Sequence, residues 1–384
     1  MTPRRLLPVP VLIVVGLVSG FSLGPAARRG ATPLPDKLGD QEFWKLSADL
    51  SEPNGFFRSE NLVSNEHSFQ YVIPALQKMV PSASVYLGVA PDQNFTYIVA
   101  LKPRMAFIVD IRRGNLLEHL LYKALIEMSA DRADFVSRLF SKKRPAGLSA
   151  TSTVVELFTA FDRVKTSEDL YKENVQAVTN QLVKRHGFAL SPDDLEQLES
   201  IYFAFFWEGP GLRYSSMPSG FGGRNRGFGG SNFPSYEDLM MQTDWEGQSR
   251  SYLASEENFR FLKRMEERNL IVPVVGNFAG PKALRAVGQY VREHGATVSA
   301  FYVSNVEQYL FQDGIFDDFA RNVATLPVDA SSTFIRSVSG RFGYTGGYQW
   351  GDGRATGLDA IRGFVRDFQA GRIRSYYDVN ARSK

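Results

Sequence analysis

The chain of 384 residues has no cysteine. That excludes disulfides, zinc–cysteine sites, cysteine-ligated iron–sulfur clusters and thiol nucleophiles. It is compatible with an oxidising compartment without requiring one. Histidine is nearly as scarce. His67, His119, His186 and His294 stand far apart, with no H-x-x-x-H or H-E-x-x-H spacing. No local histidine metal site is encoded, and no metal is expected. A Gly-x-Ser-x-Gly elbow is absent, which counts against an α/β-hydrolase, and so is a P-loop. An excess of one charge is missing too: 44 basic residues face 41 acidic ones, interspersed, for a net +3. That balance leaves no electrostatic footprint for nucleic acid, and none is expected as a partner.

What is present begins at the N-terminus. Arg4 and Arg5 precede an uncharged stretch from Leu6 to Gly24. This is the charged and then apolar pattern of a bacterial-type export signal. Its length is also close to the roughly 20 residues a membrane-spanning helix needs. Pro8, Pro10 and three glycines weaken it as a helix, and Pro25-Ala26-Ala27 offers small residues for a peptidase. Arg28 and Arg29 follow, so charge on both flanks gives little orientation. The expectation is a signal peptide or a retained transmembrane anchor over residues 1–35, and an exported (periplasmic) or membrane-anchored protein.

Beyond this segment about 350 residues remain, enough for one large or two ordinary domains. Helices are expected over Glu42 to Leu50 and Glu66 to Val80, the second interrupted by Pro74. A polar cluster, Glu60, Asn61, Asn65 and Glu66, lies between them; it either caps the second helix through Asn65 or contacts a substrate. Ser84 to Leu87 is a short apolar run ending in Gly88, as a buried parallel strand would end. The turn Pro91-Asp92-Gln93-Asn94, a helix to Leu101, and the strand Met105 to Val109 follow, with Asp110 at the end. This β–α–β order builds parallel sheets.

Residues 36–130 therefore read as N-terminal helices and the first half of a sheet. Residues 131–255 read as a helical insertion with a Gly-rich loop at about 208–234, either a lid or a plain surface loop. Residues 256–384 resume the α/β pattern. Strands are expected at Leu270 to Val275, Thr297 to Val303 and Ser332 to Ser337, and a last helix over Leu358 to Gln369. Tyr302 and Tyr309 read as core. The fold class is α/β, a three-layer, Rossmann-like, mostly parallel sheet.

Ligands of such sheets bind outside the carboxyl ends of the strands. Those ends carry Gly88 with the Asp92–Asn94 turn, Asp110 with Arg112 and Arg113, Gly276 with Asn277, and Ser304 with Asn305. Arg112 and Arg113 would receive an anionic group or stand as a solvated pair beside Asp110. The order of glycine-bearing turn, helix, strand and terminal acid resembles a class I S-adenosylmethionine-dependent methyltransferase. The resemblance covers about half the chain, with one glycine in the turn where that family has two or three. It implies S-adenosylmethionine as cofactor, with Gly88, Asp92, Asn94, Asp110, Arg112 and Asn277 in its site. It further implies that Gly88 admits the methionine part, Asp110 holds the ribose and Asn277 faces the adenine. Asn61, Asn65, Ser304 and Asn305 would lie on the substrate side. The alternative is a non-catalytic binding protein that keeps the sheet without the cofactor.

Overall fold

The computed structural model describes residues 32–214, 233–339 and 354–383. The expected signal or anchor segment, the centre of the Gly-rich loop and the Gly- and aromatic-rich stretch 340–353 lie outside these residues. Among the described residues no helix is long and apolar enough to cross a membrane.

The chain enters through α1 (Asp40–Leu50) and α2 (Ile73–Met79). The first parallel unit is β1 (Val85–Gly88), α3 (Gln93–Leu101) and β2 (Met105–Asp110), followed by α4 (Arg113–Met128). A helical stretch comes next: α5 (Arg132–Leu139), α6 (Val154–Asp162), α7 (Glu168–Thr179), α8 (Pro192–Glu208) and α9 (Tyr236–Met241). After α10 (Glu256–Glu267) the alternation resumes with β3 (Ile271–Val275), α11 (Ala283–Glu293) and β4 (Val298–Ser304). Two helices, α12 (Val306–Gln312) and α13 (Phe316–Val323), lead to β5 (Thr333–Ser339). The chain ends with β6 (Arg354–Ala360), α14 (Ile361–Gln369) and α15 (Tyr376–Arg382).

The strands form one sheet in the order β3-β2-β1-β4-β5-β6. All neighbours are parallel except β5 and β6, which run antiparallel with Ile335 opposite Leu358. The protein is thus a mixed α/β structure with a six-stranded, mostly parallel sheet. Every residue of β1, β2 and β3 is buried. This is why these strands read as continuous apolar runs rather than alternating ones. Helices α3 and α4 pack against α10, while α11 packs against α13 and α13 against α14. Helices α5, α7 and α8 pack on α4, whose residues from Gly114 to Ile126 are all buried. A helix enclosed on every side needs an apolar circumference. The polar residues that α4 nevertheless carries therefore need an explanation.

Three expectations shift. The helix expected from Glu66 begins only at Ile73, because Pro74 fits the first turn of a helix and not its middle. Asn65 therefore caps no helix. Within the stretch expected as a helical insertion, α7 is α-helical to Thr179 and the chain continues as a wider π turn over Asn180–Arg185. The last helix starts at Ile361 and not Leu358, since the preceding residues form β6, a strand the sequence pattern did not suggest.

The edge of the sheet is fastened by a buried ion cluster. Arg336 on β5 is 1% exposed. Its Nε and Nη2 donate to both Glu307 oxygens at 2.6 and 3.1 Å, and its Nη1 donates to Asp359 at 2.7 Å. Arg382 on α15 donates twice to the same Asp359 at 3.0 Å. Removing Arg336 would leave Glu307 buried without its ion-pair partner, and Asp359 with Arg382 alone. Arg336→Met is expected to lower unfolding stability by about 3–5 kcal/mol, read as a lower urea midpoint with an unchanged slope. An unchanged midpoint would show that the cluster does not hold the sheet edge.

Candidate functional site

A cavity of about 300 Å³ opens at the carboxyl ends of β1, β2, β3 and β4. Strand-end turns supply one part of its wall: Val89 and Ala90, Asp110 and Ile111, Gly276 and Asn277, Ser304 and Asn305. The loop before β1 closes one side with Phe57, Arg58 and Asn61, and α12 closes another with Tyr309 and Leu310. Phe57 meets the Tyr309 ring edge-on at 5.1 Å, and the Arg58 guanidinium lies 4.9 Å from the same ring centre. Tyr309 is therefore a wall residue and not core. Tyr302 is buried as expected.

The backbone at this site is strained. Six non-glycine residues among those described have positive φ. Three of them line the cavity: Asn61 at 33°, Ala90 at 66° and Ser304 at 50°. Such conformations cost on the order of 1–3 kcal/mol each and persist only where surrounding structure enforces them. The enforcing bonds are present. Glu66, 3% exposed, accepts from Ser304 Oγ at 2.5 Å and Tyr302 Oη at 2.8 Å, and Gln93 Nε2 donates to it at 3.3 Å. Asn94 Nδ2 donates to the carbonyls of Val89, Ala90 and Pro91 at 2.8, 3.2 and 2.7 Å.

Of the residues singled out from sequence, Asp110, Asn277, Asn61, Ser304 and Asn305 come together on the cavity wall. Asp110 is 5% exposed. Its Oδ1 accepts from the Arg112 backbone N–H at 2.9 Å and lies 3.5 Å from Arg112 Nε. Its Oδ2 makes no hydrogen bond within the described residues. Asn277 donates its N–H to Glu52 and accepts from Ala279 through its side chain. Gly88, Asp92, Asn94, Arg112 and Asn65 do not line the cavity. Asp92 and Asn94 are buried in the β1–α3 turn. Arg112 is buried between Asp110 and Glu60. Arg113 is engaged by Asp194 through both carboxylate oxygens, and this pairing holds the Asp194 carboxyl down at about 2.

Two features bear on what the cavity can take. A Cβ on Gly88 would lie 1.9 Å from Asn94 Oδ1, so the space beside this glycine is already filled by the protein. Two of the helix starts that ordinarily attract phosphate, those of α4 and α11, are also occupied from within. Glu52 accepts from the N–H groups of Asn277, Lys282 and Ala283 ahead of α11, at 3.1, 2.8 and 2.8 Å. Asn54 and Asp110 accept from Arg113 and Arg112 at the start of α4. At α3 the cap residue is itself an acid, Asp92. The starts of α4 and α11 are thus closed to phosphate, whereas the side chain of Asn305, which precedes α12 on the cavity wall, makes no cap hydrogen bond.

Gly88→Ala is expected to destabilise the protein by about 1–3 kcal/mol through overpacking against Asn94. Urea denaturation checks this, and an unchanged midpoint would mean that Asn94 yields easily and the space can be vacated.

A family model described as a domain of unknown function (DUF7790) matches residues 61–188 and 152–357. No curated protein matches the chain. The matches together run from Asn61, on the cavity wall, past Ser304, Asn305 and Tyr309, and cover more than half of the sequence. The chain belongs to this family of unknown function.

Proposed function

We propose that the strand-end cavity binds a nucleoside-type ligand without phosphate, in a Rossmann-like, methyltransferase-like protein that is exported or membrane-anchored through its N-terminal segment. The observation that carries this reading is Asp110. It follows Gly88 by about the 20 residues typical of a ribose-binding acid in dinucleotide folds. It ends β2, lines the cavity and has Oδ2 free of protein partners among the described residues. A carboxylate held in that way accepts hydroxyl donors well. The cavity volume is at the low end of small-molecule pockets. Val89, Ile111, Phe278 and Leu310 supply apolar walls for a base, and Asn277 and Asn305 supply amides for its edge.

The closed starts of α4 and α11 argue against a dinucleotide or a nucleoside triphosphate. S-adenosylmethionine shares the nucleoside moiety and lacks phosphate. Its nucleoside half suits the cavity, but the resemblance would lay the methionine part beside Gly88, where Asn94 stands. The same contact supports the second reading, a binding protein that keeps the sheet without catalysis.

Calorimetry on the full chain separates these readings. Adenosine, S-adenosylhomocysteine and S-adenosylmethionine serve as probes, with ADP as the phosphorylated control. Nucleoside binding is expected, with ADP weaker than adenosine. Asp110→Asn should weaken adenosine by about tenfold or more, the worth of a hydrogen bond to a charged group. Heat from adenosine but none from the two thioether or sulfonium probes favours the non-catalytic protein. No heat from any probe at millimolar concentration removes the nucleoside reading.

A further inference from the structure

Helix α4 carries Asn115, Glu118, His119 and Tyr122. The spacing places them on one face of a helix. That face looks toward the β1–α3 turn and α3. His119 Nε2 lies 3.0 Å from the Ala90 carbonyl, and Phe95 packs edge-on against both His119 and Tyr122. All four polar residues are at most 3% exposed. Asp92 on the turn and Arg112 before α4 are buried as well.

These six residues share an unusual property. Seven of their polar atoms have no hydrogen-bond partner among the described residues: both Glu118 oxygens, Asp92 Oδ1, Arg112 Nη2, Asn115 Nδ2, His119 Nδ1 and Tyr122 Oη. Buried polar atoms are nearly always paired, with protein or with ordered water. An unpaired carboxylate in such surroundings is costly. Seven such atoms on three adjoining segments are not independent accidents.

Their chemistry restricts what satisfies them. Arg112, Asn115 and Tyr122 offer donors, while Asp92 and His119 offer acceptors. His119 is neutral, since burial pushes its imidazole down to about 4. With its Nε2–H donated to Ala90, its Nδ1 is an acceptor. Interleaved donors and acceptors do not suit a metal ion, and among the described residues no group of three His, Asp or Glu is arranged to hold one. None of the six residues lines the strand-end cavity, so a ligand there does not reach them directly. Water, which donates and accepts, meets both kinds of atom.

We propose that this face of α4, closed by Asp92 and Arg112, is an interior water-binding site that holds one mobile proton shared between Glu118 and Asp92. The transfer is balanced: protonated Glu118 gives its proton to water, the water passes one to ionised Asp92, and the reverse step restores the start. The surrounding charges fit this role. Arg112, Asp92, Asp110 and Glu60 act on Glu118, and burial outweighs the Arg112 attraction and raises its pKa well above the usual carboxylate range. Burial pushes Asp92 up to about 7, opposed by the Tyr252 hydroxyl that donates to its Oδ2 at 3.1 Å. Tyr236 is hydrogen-bonded to Tyr252 in turn and extends the chain inward. The site adjoins the cavity wall through Ala90 and through Asp110, which places a proton store directly behind it. It goes beyond the nucleoside reading and does not need it.

Infrared spectroscopy of the full chain tests the site without any ligand. A protonated carboxylic acid absorbs apart from ionised carboxylates. A protonated band at pH 7 that disappears in Glu118→Gln is expected, with a second one titrating near pH 7 that disappears in Asp92→Asn. No protonated band sensitive to either substitution would overturn the proposal. Denaturation gives a second readout. Asp92 keeps its proton in the fold to a higher pH than its unfolded value of 3.8, so its contribution falls as pH rises from about 4 through about 7. Asp92→Asn should remove that fall. Glu118→Leu separates water from a dry, merely mispaired interior. A site holding water loses stability, because Arg112, Asn115 and Tyr122 lose their bridge, whereas a dry site gains stability on losing an unpaired acid. A higher melting temperature in Glu118→Leu would overturn the proposal.

Discussion

Strands β1 and β4 lie side by side and parallel, yet the chain leaves β1 toward β2 and leaves β4 toward β5, in opposite directions across the sheet. Right-handed crossovers then carry the two connections to opposite faces. Their turns must part where the strands end, and the cavity lies in that parting. Every local feature of the site follows from this divergence. The turns that part there include Ala90 and Ser304, both held in left-handed backbone that needs outside support. Glu66 and Asn94 provide it, and both are buried to do so.

The same demand explains why the starts of α4 and α11 are closed to phosphate. A parted turn exposes backbone donors at the helix starts, and this chain satisfies them with its own Glu52, Asn54 and Asp110. Structure and binding thus compete for the same groups. Asp110 is where the competition is unresolved. One oxygen steadies the turn into α4, the other makes no hydrogen bond among the described residues, and the residue lines the cavity. Arg112 keeps the carboxylate company from the buried side, so that Asp110 stays fixed between wall and interior.

The sequence was most legible where burial is most complete. Ile271–Val275 and, up to its terminal acid, Met105–Asp110 are apolar because both faces of the sheet are covered there, and a run of that kind reads as a parallel strand. The strand Arg354–Ala360 did not read, because it holds a glycine, an aspartate and a threonine and pairs antiparallel with β5. Its last residues also flow into α14 without a break. Strand-end listing brought out Asp110, Asn277, Ser304 and Asn305 because the rule concerns topology, which periodicity reveals. It assigned Gly88 and Asn94 to one ligand site, but their contact with each other depends on a turn geometry that spacing does not encode. Likewise the stripe Asn115, Glu118, His119 and Tyr122 has helical spacing, yet only its covering by the β1–α3 turn and α3 distinguishes it from a solvated face.

Under the proposed function, Asp110 presents a carboxylate oxygen to a nucleoside at the parting of β1 and β4. A crystal structure of the protein grown with S-adenosylhomocysteine tests it most directly. The account predicts a nucleoside in the strand-end cavity, with a ribose hydroxyl within hydrogen-bond distance of Asp110. Density for the ligand elsewhere, or an Asp110 carboxylate turned away to protein partners with the cavity closed, would contradict it.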